Sequence, residues 1–295
     1  MRRAEAFIAV DWGTSNRRAW RLGGDGEVVA DMEDGKGILE VPKGGFHSAV
    51  AEIRERLGDL PMLMAGMVGS NRGWIEAPYV PCPAGLADLA DRLCWVEGER
   101  AAIVPGVAFQ SGDCADVMRG EEVQLLGAAA EGWIGPDSAL CHPGTHNKWA
   151  RLSGGRIARF RTVMTGELFS LLKEHSILSD LLAGPVEPGP AFESGVRHGL
   201  ERDDLTAELF SVRARTLLGK SRREDSAAYV SGLLIGADLR IGLRMAGEGE
   251  LAAIGRPDLT RLFRSALAAA GRAAIEIDGE AAFLAGVRHL AELVK

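Results

Sequence analysis

The chain has 295 residues, a formal net charge of −7, and 46% hydrophobic and 25% charged residues. That length suits two domains of about 100–200 residues each, and the composition is that of a water-soluble globular protein. The acidic balance excludes broad electrostatic attraction to nucleic acid or to an acidic membrane surface, so an anionic substrate needs a local basic pocket. Cys82, Cys94, Cys114 and Cys141 form no Cys-x-x-Cys pair and read as free thiols. The charged start Met1-Arg2-Arg3-Ala4-Glu5 and the short apolar run after it do not make a signal sequence. No run of about 18 apolar residues offers a membrane span, and the expected compartment is the cytoplasm.

In chain order, Ala6-Phe7-Ile8-Ala9-Val10 is a continuous apolar run, expected as a strand buried on both faces. Asp11-Trp12-Gly13-Thr14-Ser15-Asn16 follows as a tight polar turn. Residues 18–22 and 27–32 alternate as two more strands, joined by the hairpin chemistry of Gly23-Gly24-Asp25-Gly26. The chain thus opens as a three-stranded antiparallel meander. Residues 47–57 have helical spacing, and 61–65 read as a further buried strand ending at Gly66. From Gly66 to Ala84, glycine, proline and aromatics crowd into a long loop; such loops are usually functional or disordered, and the aromatics argue for order. Residues 101–104 are a short strand. Residues 120–131 are a helix with Glu121 and Glu122 in its first turn, where the helix dipole favours acids.

Residues 138–142 form the next expected strand, followed by Pro143-Gly144-Thr145-His146-Asn147 and by strands at 148–152 and 156–162. Ser153-Gly154-Gly155 joins those two, so the opening meander is echoed: strand, polar Gly-Thr turn, strand, Gly-Gly turn, strand. Residues 165–243 read as mostly helical, broken near Gly184-Pro185 and Glu187-Pro188-Gly189-Pro190. A strand at 251–254 ends at Gly255-Arg256-Pro257, and an amphipathic helix (259–270), a strand (274–277) and an Ala-rich helix (280–293) close the chain.

The chemistry concentrates in the two turns. A strand ending in Asp-x-Gly-Thr-Ser-Asn exposes backbone N–H groups, hydroxyls and an amide, and such a nest binds phosphate. Asp11 at the strand end can hold Mg²⁺, usually through water. The bland alternative is an ordinary β-turn rich in turn formers. The second turn, Gly144-Thr145-His146-Asn147-Lys148, has the same character and adds a lysine. Two such hairpins, one per half, make a clamp on a polyphosphate. Of Arg17 and Arg18, strand alternation lets only one face a cleft, and at least one reads as a surface charge. His142 and His146 flank Pro-Gly in a turn and lose the geometry of a helical metal pair. Gly219-Lys220-Ser221 lacks the leading glycine and the strand of a P-loop.

Two strand–turn–strand phosphate loops resemble the superfamily of actin, heat-shock chaperones and sugar kinases. More specifically, the chain resembles the 2-dehydro-3-deoxygalactonokinases. The matching stretches are Asp11–Asn16, Ala65–Ser70, Gly73-Trp74 with Glu76 and Pro78-Tyr79, Asp116–Glu122, His142–Lys148, Met164–Phe169 and Ser231–Gly236. They span nearly the whole chain.

The resemblance implies an α/β fold of two ribonuclease-H-like domains, residues 1–112 and 113–295, with an ATP cleft between them. It implies ATP with Mg²⁺ near Asp11, phosphates on Gly13, Thr14, Ser15, Asn16, Gly144, Thr145, His146, Asn147 and Lys148, and an adenosine contact at Gly255. In many sugar kinases an Asp after a glycine, at the start of the helix before the second phosphate loop, is the base; here Glu replaces the usual Asp. Glu121 occupies that place here, with Glu122 and Asp116 left open; the alternative is that these acids only complement the helix N-terminus. The 66–84 loop is the expected sugar-acid pocket. A 2-keto acid needs a donor pair for its carboxylate, from Arg72 or from Ser70-Asn71, while Glu76 and Tyr79 could bind hydroxyls. Alternatively Trp74, Tyr79 and the prolines pack the loop down. The implied reaction is phosphorylation of 2-dehydro-3-deoxy-D-galactonate at its 6-hydroxyl. A kinase of another sugar acid or sugar, a non-catalytic sensor on the same fold and a polyphosphate phosphatase are the rivals. The partner is a small molecule; a homodimer is the one assembly left open.

Overall fold

The computed structural model describes residues 5–294, so most of the charged start lies outside the described residues. The chain divides into two compact units, one of Met1–Pro136, Ser153–Arg159 and Glu280–Lys295, the other of Asp137–Leu152 and Phe160–Gly279.

The first unit opens with β1 (Phe7–Trp12), β2 (Arg17–Leu22) and β3 (Val28–Asp34), paired antiparallel in the expected meander. After α1 (Phe46–Leu57), β4 (Met62–Gly66) returns parallel to β1, with Asp11 opposite Ala65 and Trp12 opposite Gly66. The elements β5 (Val80–Pro81), α2 (Leu86–Ala90), β6 (Cys94–Trp95) and β7 (Ala101–Ile103) follow. Next come β8 (Val107–Ser111), β9 (Cys114–Met118) and α3 (Glu121–Ala130). The main sheet runs β3-β2-β1-β4-β7-β6, and β5-β8-β9 form a small second one. Ile8, Ala9 and Val10 are wholly buried, as a strand covered on both faces requires. Ile8, Val10, Trp12, Ile53, Met62 and Met64 belong to one apolar cluster, each buried side chain contributing about 1.5–3 kcal/mol. The β8–β9 hairpin was not expected: its residues are largely exposed and lack the apolar alternation that marks a half-buried strand.

The second unit repeats the plan. Its strands β10 (Ala139–His142), β11 (Asn147–Ser153) and β12 (Arg156–Val163) precede the helices α4 (Thr165–His175), α5 (Pro190–Glu201), α6 (Leu205–Leu217) and α7 (Ser226–Ala246). Then come β13 (Leu251–Gly255), α8 (Pro257–Ala269) and β14 (Ile275–Asp278). The sheet order β12-β11-β10-β13-β14 matches β3-β2-β1-β4-β7 strand for strand, with β13 and β14 parallel to the first strand of the meander. Helices α5 and α7 touch backbone to backbone: a Cβ on Gly199 would lie 2.2 Å from the Leu233 carbonyl, and one on Gly236 2.2 Å from that of Val196. Helix α7 is long and apolar enough by composition to cross a membrane, yet 67% of its most apolar window is buried, as a core helix is. The sequence alone had shown no such stretch, because Asp238 and Arg240 interrupt it.

The last helix, α9 (Gly279–Leu293), belongs to the first unit. It packs on α3 through glycines: a Cβ on Gly127 would stand 2.3 Å from the Ala282 carbonyl, and one on Gly286 2.2 Å from that of Val123. A boundary at residue 112 therefore falls inside a compact unit, which takes in α3 and the chain's end as well.

Candidate active site

The first turn is built on a tight hairpin. Gly13 N–H donates to the Asn16 carbonyl over 2.9 Å, and Thr14, Ser15 and Asn16 stand exposed. The turn's own carbonyls face inward, where Ile38 N–H bonds Gly13 O at 3.0 Å and Leu39 N–H bonds Thr14 O at 3.3 Å. Gly37 makes this support possible, since a Cβ there would lie 2.2 Å from Thr14 O. Carbonyls tied inward leave the donor edge of the turn toward solvent, as an anion site needs.

Asp11 pairs with Arg18 through a 2.8 Å bond to Oδ2, and Arg18 also lies 3.7 Å from Glu280. Arg17 is fully buried: its guanidinium binds Asp34 at 3.0 Å, Glu52 at 3.1 Å and the Ala49 carbonyl at 3.0 Å. Neither arginine is the free surface charge that alternation suggested.

Because β1 and β4 run side by side, the Asp11 strand end meets Gly66. Gly66 has φ +94°, and a Cβ on it would lie 2.8 Å from Trp12 O and 3.5 Å from Asp11 Oδ1. Gly120, at φ +107°, brings the start of α3 onto the same spot, its Cβ position being 3.1 Å from Gly66 Cα. Only glycine suits such positive φ values cheaply, so the Gly66–Gly120 contact sets how close the acids of α3 come to Asp11.

The two acids of α3 differ. Glu122 is fully buried, and its carboxyl accepts Gly120 N–H on both oxygens, at 2.9 and 2.7 Å. Burial, with Glu121 next, pushes its pKa up to about 8. Glu122 is thus closed against Gly120 within the fold. Glu121 is partly exposed and accepts Arg119 N–H at 3.1 Å. Asp116 lies in the outlying β9 strand, where it accepts its neighbour Val117 N–H at 2.9 Å.

The 66–84 loop is ordered. Ser70 is buried, and its hydroxyl donates to Met67 O at 2.7 Å and accepts Arg72 N–H at 3.3 Å, so it shapes the turn. Trp74 stacks on Phe46 with ring centroids 6.0 Å apart and meets His47 edge-on at 5.0 Å. Ser70 and Trp74 thus help to hold the loop, Trp74 staying half-buried; Asn71, Arg72, Glu76 and Tyr79 are exposed. Tyr79 carries the Arg119 guanidinium 4.4 Å from its ring centroid. Arg119 lies within the Asp116–Glu122 stretch, whose sequence points to the acids and assigns no role to the arginine.

The second turn has a buried frame that the sequence did not reveal. Asn147 is 1% exposed; its Oδ1 accepts Gly144 N–H at 2.7 Å and its Nδ2 donates to Asp238 at 2.5 Å. Asp238 also accepts Trp149 Nε1–H at 2.5 Å and the Thr165 hydroxyl. Burial raises its pKa. The Asn147 side chain therefore holds the turn from within. Lys148 is also buried, with Nζ donating to the His146 carbonyl at 3.2 Å, so its charge lies under the turn. Thr145 and His146 are exposed, and His146 pairs with Glu167 at 2.7 Å. Helix α4 starts on this turn: a Cβ on Gly166 would lie 2.4 Å from Gly144 O, and Glu167 N–H bonds Thr145 O at 2.9 Å.

Beside Pro143 and Gly144 opens a cavity of about 190 Å³, walled by Phe169, Leu234, Leu262 and Phe263. Its mouth at a polar turn and its apolar wall suit a flat aromatic base with a phosphorylated tail. Gly255, at φ +152°, does not line it; a Cβ there would make ordinary contact, 3.5 Å from Pro143 O, so the backbone angle and not the space favours glycine. Asp238, a lone acid in the apolar run of α7, was the available signal for the frame, and Thr165-Gly166 after β12 was the signal for the α4 contact.

The sequence model of the 2-keto-3-deoxy-galactonokinase family matches residues 11–290. The chain belongs to that family. The 2-dehydro-3-deoxygalactonokinase of Escherichia coli (strain K12) is 37% identical over 292 residues, 98% of each chain. A crystal structure of a Sinorhizobium meliloti protein named for the same kinase superposes with a TM-score of 0.92 at 37% identity, covering 98% of this chain and 99% of that one. The Clostridium difficile activator of 2-hydroxyisocaproyl-CoA dehydratase, solved with ADPNP, matches at TM-score 0.52 and 10% identity over 98% of this chain and 95% of its own. At that identity the likeness concerns the fold, and the galactonokinase-family chain has the α/β fold of actin-like ATPases and sugar kinases.

Proposed function

We propose that this protein transfers the γ-phosphoryl group of ATP to the 6-hydroxyl of 2-dehydro-3-deoxy-D-galactonate. The observation that carries the reading is the full-length match to the galactonokinase family, over residues that build two exposed Gly-Thr turns and an acid-headed helix. Phosphoryl transfer asks the protein chiefly for positioning, charge stabilisation and a base on the acceptor hydroxyl.

In this reading the exposed Thr14, Ser15 and Asn16 on one turn, and Thr145 and His146 on the other, hold phosphates, with Gly13 and Gly144 allowing their close approach. The adenine enters the cavity beside Pro143 and Gly144. Glu121 is the base: it is the acid of the α3 start that retains access to solvent. Asn71, Arg72, Glu76 and Tyr79 form the acceptor pocket, with Arg72 the cation for the carboxylate. Among the described residues no cluster of three or more His, Cys, Asp or Glu side chains could hold a metal. A single carboxylate at Asp11 fits Mg²⁺, which keeps several waters and is bound largely through substrate phosphates. When bound, the ion would offset charge on those phosphates.

Acceptor-dependent ADP formation, measured with 2-keto-3-deoxy sugar acids, hexoses and polyols, tests the reading. Turnover is expected with the galacto sugar acid. Turnover with a different acceptor alone would move the substrate assignment, and ADP release indifferent to any acceptor would sink the kinase reading. Glu121→Gln is expected to lower kcat by about 10²–10⁴-fold with ATP binding kept, the range a positioned base supplies.

A further inference from the structure

Arg119 makes contacts that the proposed chemistry does not by itself require. Its Nη2 donates to the Ala77 carbonyl at 2.7 Å, and its guanidinium lies over the Tyr79 ring at 4.4 Å. Its Nη1 is seated where Gly69 has no side chain: a Cβ there would be 2.9 Å away. Ala77 N–H in turn bonds the Gly69 carbonyl at 2.9 Å, and Tyr79 lies against Gly106, whose Cβ position is 2.8 Å from the ring. On the other side the Arg119 backbone N–H is bonded to Glu121, and Gly120 and Glu122 follow directly. Nε and Nη1 are buried without a hydrogen-bond partner.

A guanidinium with two buried, unmatched nitrogens is poor design for stability alone, since unmatched buried donors are costly. Its geometry does what a packed apolar side chain could not: Nη2 holds the Ala77 carbonyl, the guanidinium plane covers Tyr79, Nη1 fills the space beside Gly69, and the backbone of the same residue leads into α3. We infer that Arg119 is a positioning residue that fixes the acceptor loop against the helix bearing the base, so that Asn71, Arg72 and Glu76 present the acceptor hydroxyl to Glu121. The inference rests on the reading of that loop as the acceptor pocket and of Glu121 as the base. Misplacing reacting groups by about an ångström can cost about a hundredfold in rate, which is the scale on which a loosened strap acts.

The test is steady-state kinetics with ATP and the galacto sugar acid varied independently, on Arg119→Lys, Arg119→Met and Gly69→Ala. Lysine keeps the charge and loses the fork and the stacking plane, so it is not expected to rescue. Gly69→Ala leaves the arginine in place and crowds its Nη1, along with Ile103 Cγ2. All three are expected to raise the acceptor KM by about tenfold or more and to lower kcat, with the ATP KM within about twofold of wild type, because the nucleotide turns are untouched. Hydrogen exchange at Gly73 and Ala77 should quicken in the same variants. An unchanged acceptor KM in any folded variant overturns the inference, as does an equal rise in both KM values, which signals general loosening. If Arg119→Met does not fold, the other two decide. A wild-type protein that phosphorylates no sugar acid overturns the kinase reading instead, a result separate from an active Arg119→Lys that is normal for its acceptor.

Discussion

Glu122 is a carboxyl that the fold keeps protonated near neutral pH. Its folded pKa of about 8 lies above the usual 4.5, so the folded state binds more protons than the unfolded one between those values. Stability from this group is therefore fully present below about pH 4.5 and is lost as pH rises toward about 8. Glu122→Gln, which carries no charge to bury, should gain in Tm relative to wild type as pH is raised from 5 to 8. Melting curves across that range check it; a constant difference would mean that Glu122 is ionised throughout. Asp238 is the opposite kind of residue, a hub whose loss strands three partners. Asp238→Ala leaves Asn147, Trp149 and Thr165 without their shared acceptor. It is expected to cost about 3 kcal/mol or more in chemical denaturation, from unmatched buried donors at about 1–3 kcal/mol each. Nucleotide affinity should weaken as well, because Asn147 holds Gly144.

At the scale of elements, the second unit depends on helices α5 and α7 meeting without side chains between them. Gly195 and Gly199 face Gly232 and Gly236, with Cβ positions 2.1–2.2 Å from facing carbonyls. A side chain at Gly199 has no room unless the helices part. Gly199→Leu is expected to destabilise by about 3 kcal/mol, the upper part of the overpacking range, and to lower Tm sharply. A variant that melts like wild type would show that these helices can separate freely. Helical periodicity reported that both helices exist, and the spacing of their glycines was visible in the sequence. Which helices those glycines would join was not, since Gly-x-x-x-Gly on one helix does not name its partner. The β8–β9 hairpin went unseen for a related reason: exposed over much of its length, it carries only a weak alternating apolar signal.

For the whole molecule, two sheets share one strand order, and each begins with a meander whose first turn is the polar Gly-Thr turn. Ligand linkage probes that plan without an assay of turnover. A non-hydrolysable ATP analogue at a hundred times its Kd should add about 2.7 kcal/mol to the unfolding free energy and raise Tm, and Thr145→Val should reduce the shift. No shift at any concentration would remove nucleotide from the reading.

The sequence by itself determined the repeated meander, the two polar turns and the acid-headed helix. Strand alternation, turn chemistry and helix capping act over a few residues and are written locally. The family followed from stretches spread over the chain. Only the tertiary structure decided between the acids and amides within those motifs. Glu121 and Glu122 are neighbours of the same type in sequence, but packing leaves the first in reach of solvent and closes the second against Gly120. Asn147 reads as a turn donor until Asp238, far along the chain, claims its side chain. Burial and long-range hydrogen bonding set those roles, and neither is encoded in the spacing of adjacent residues.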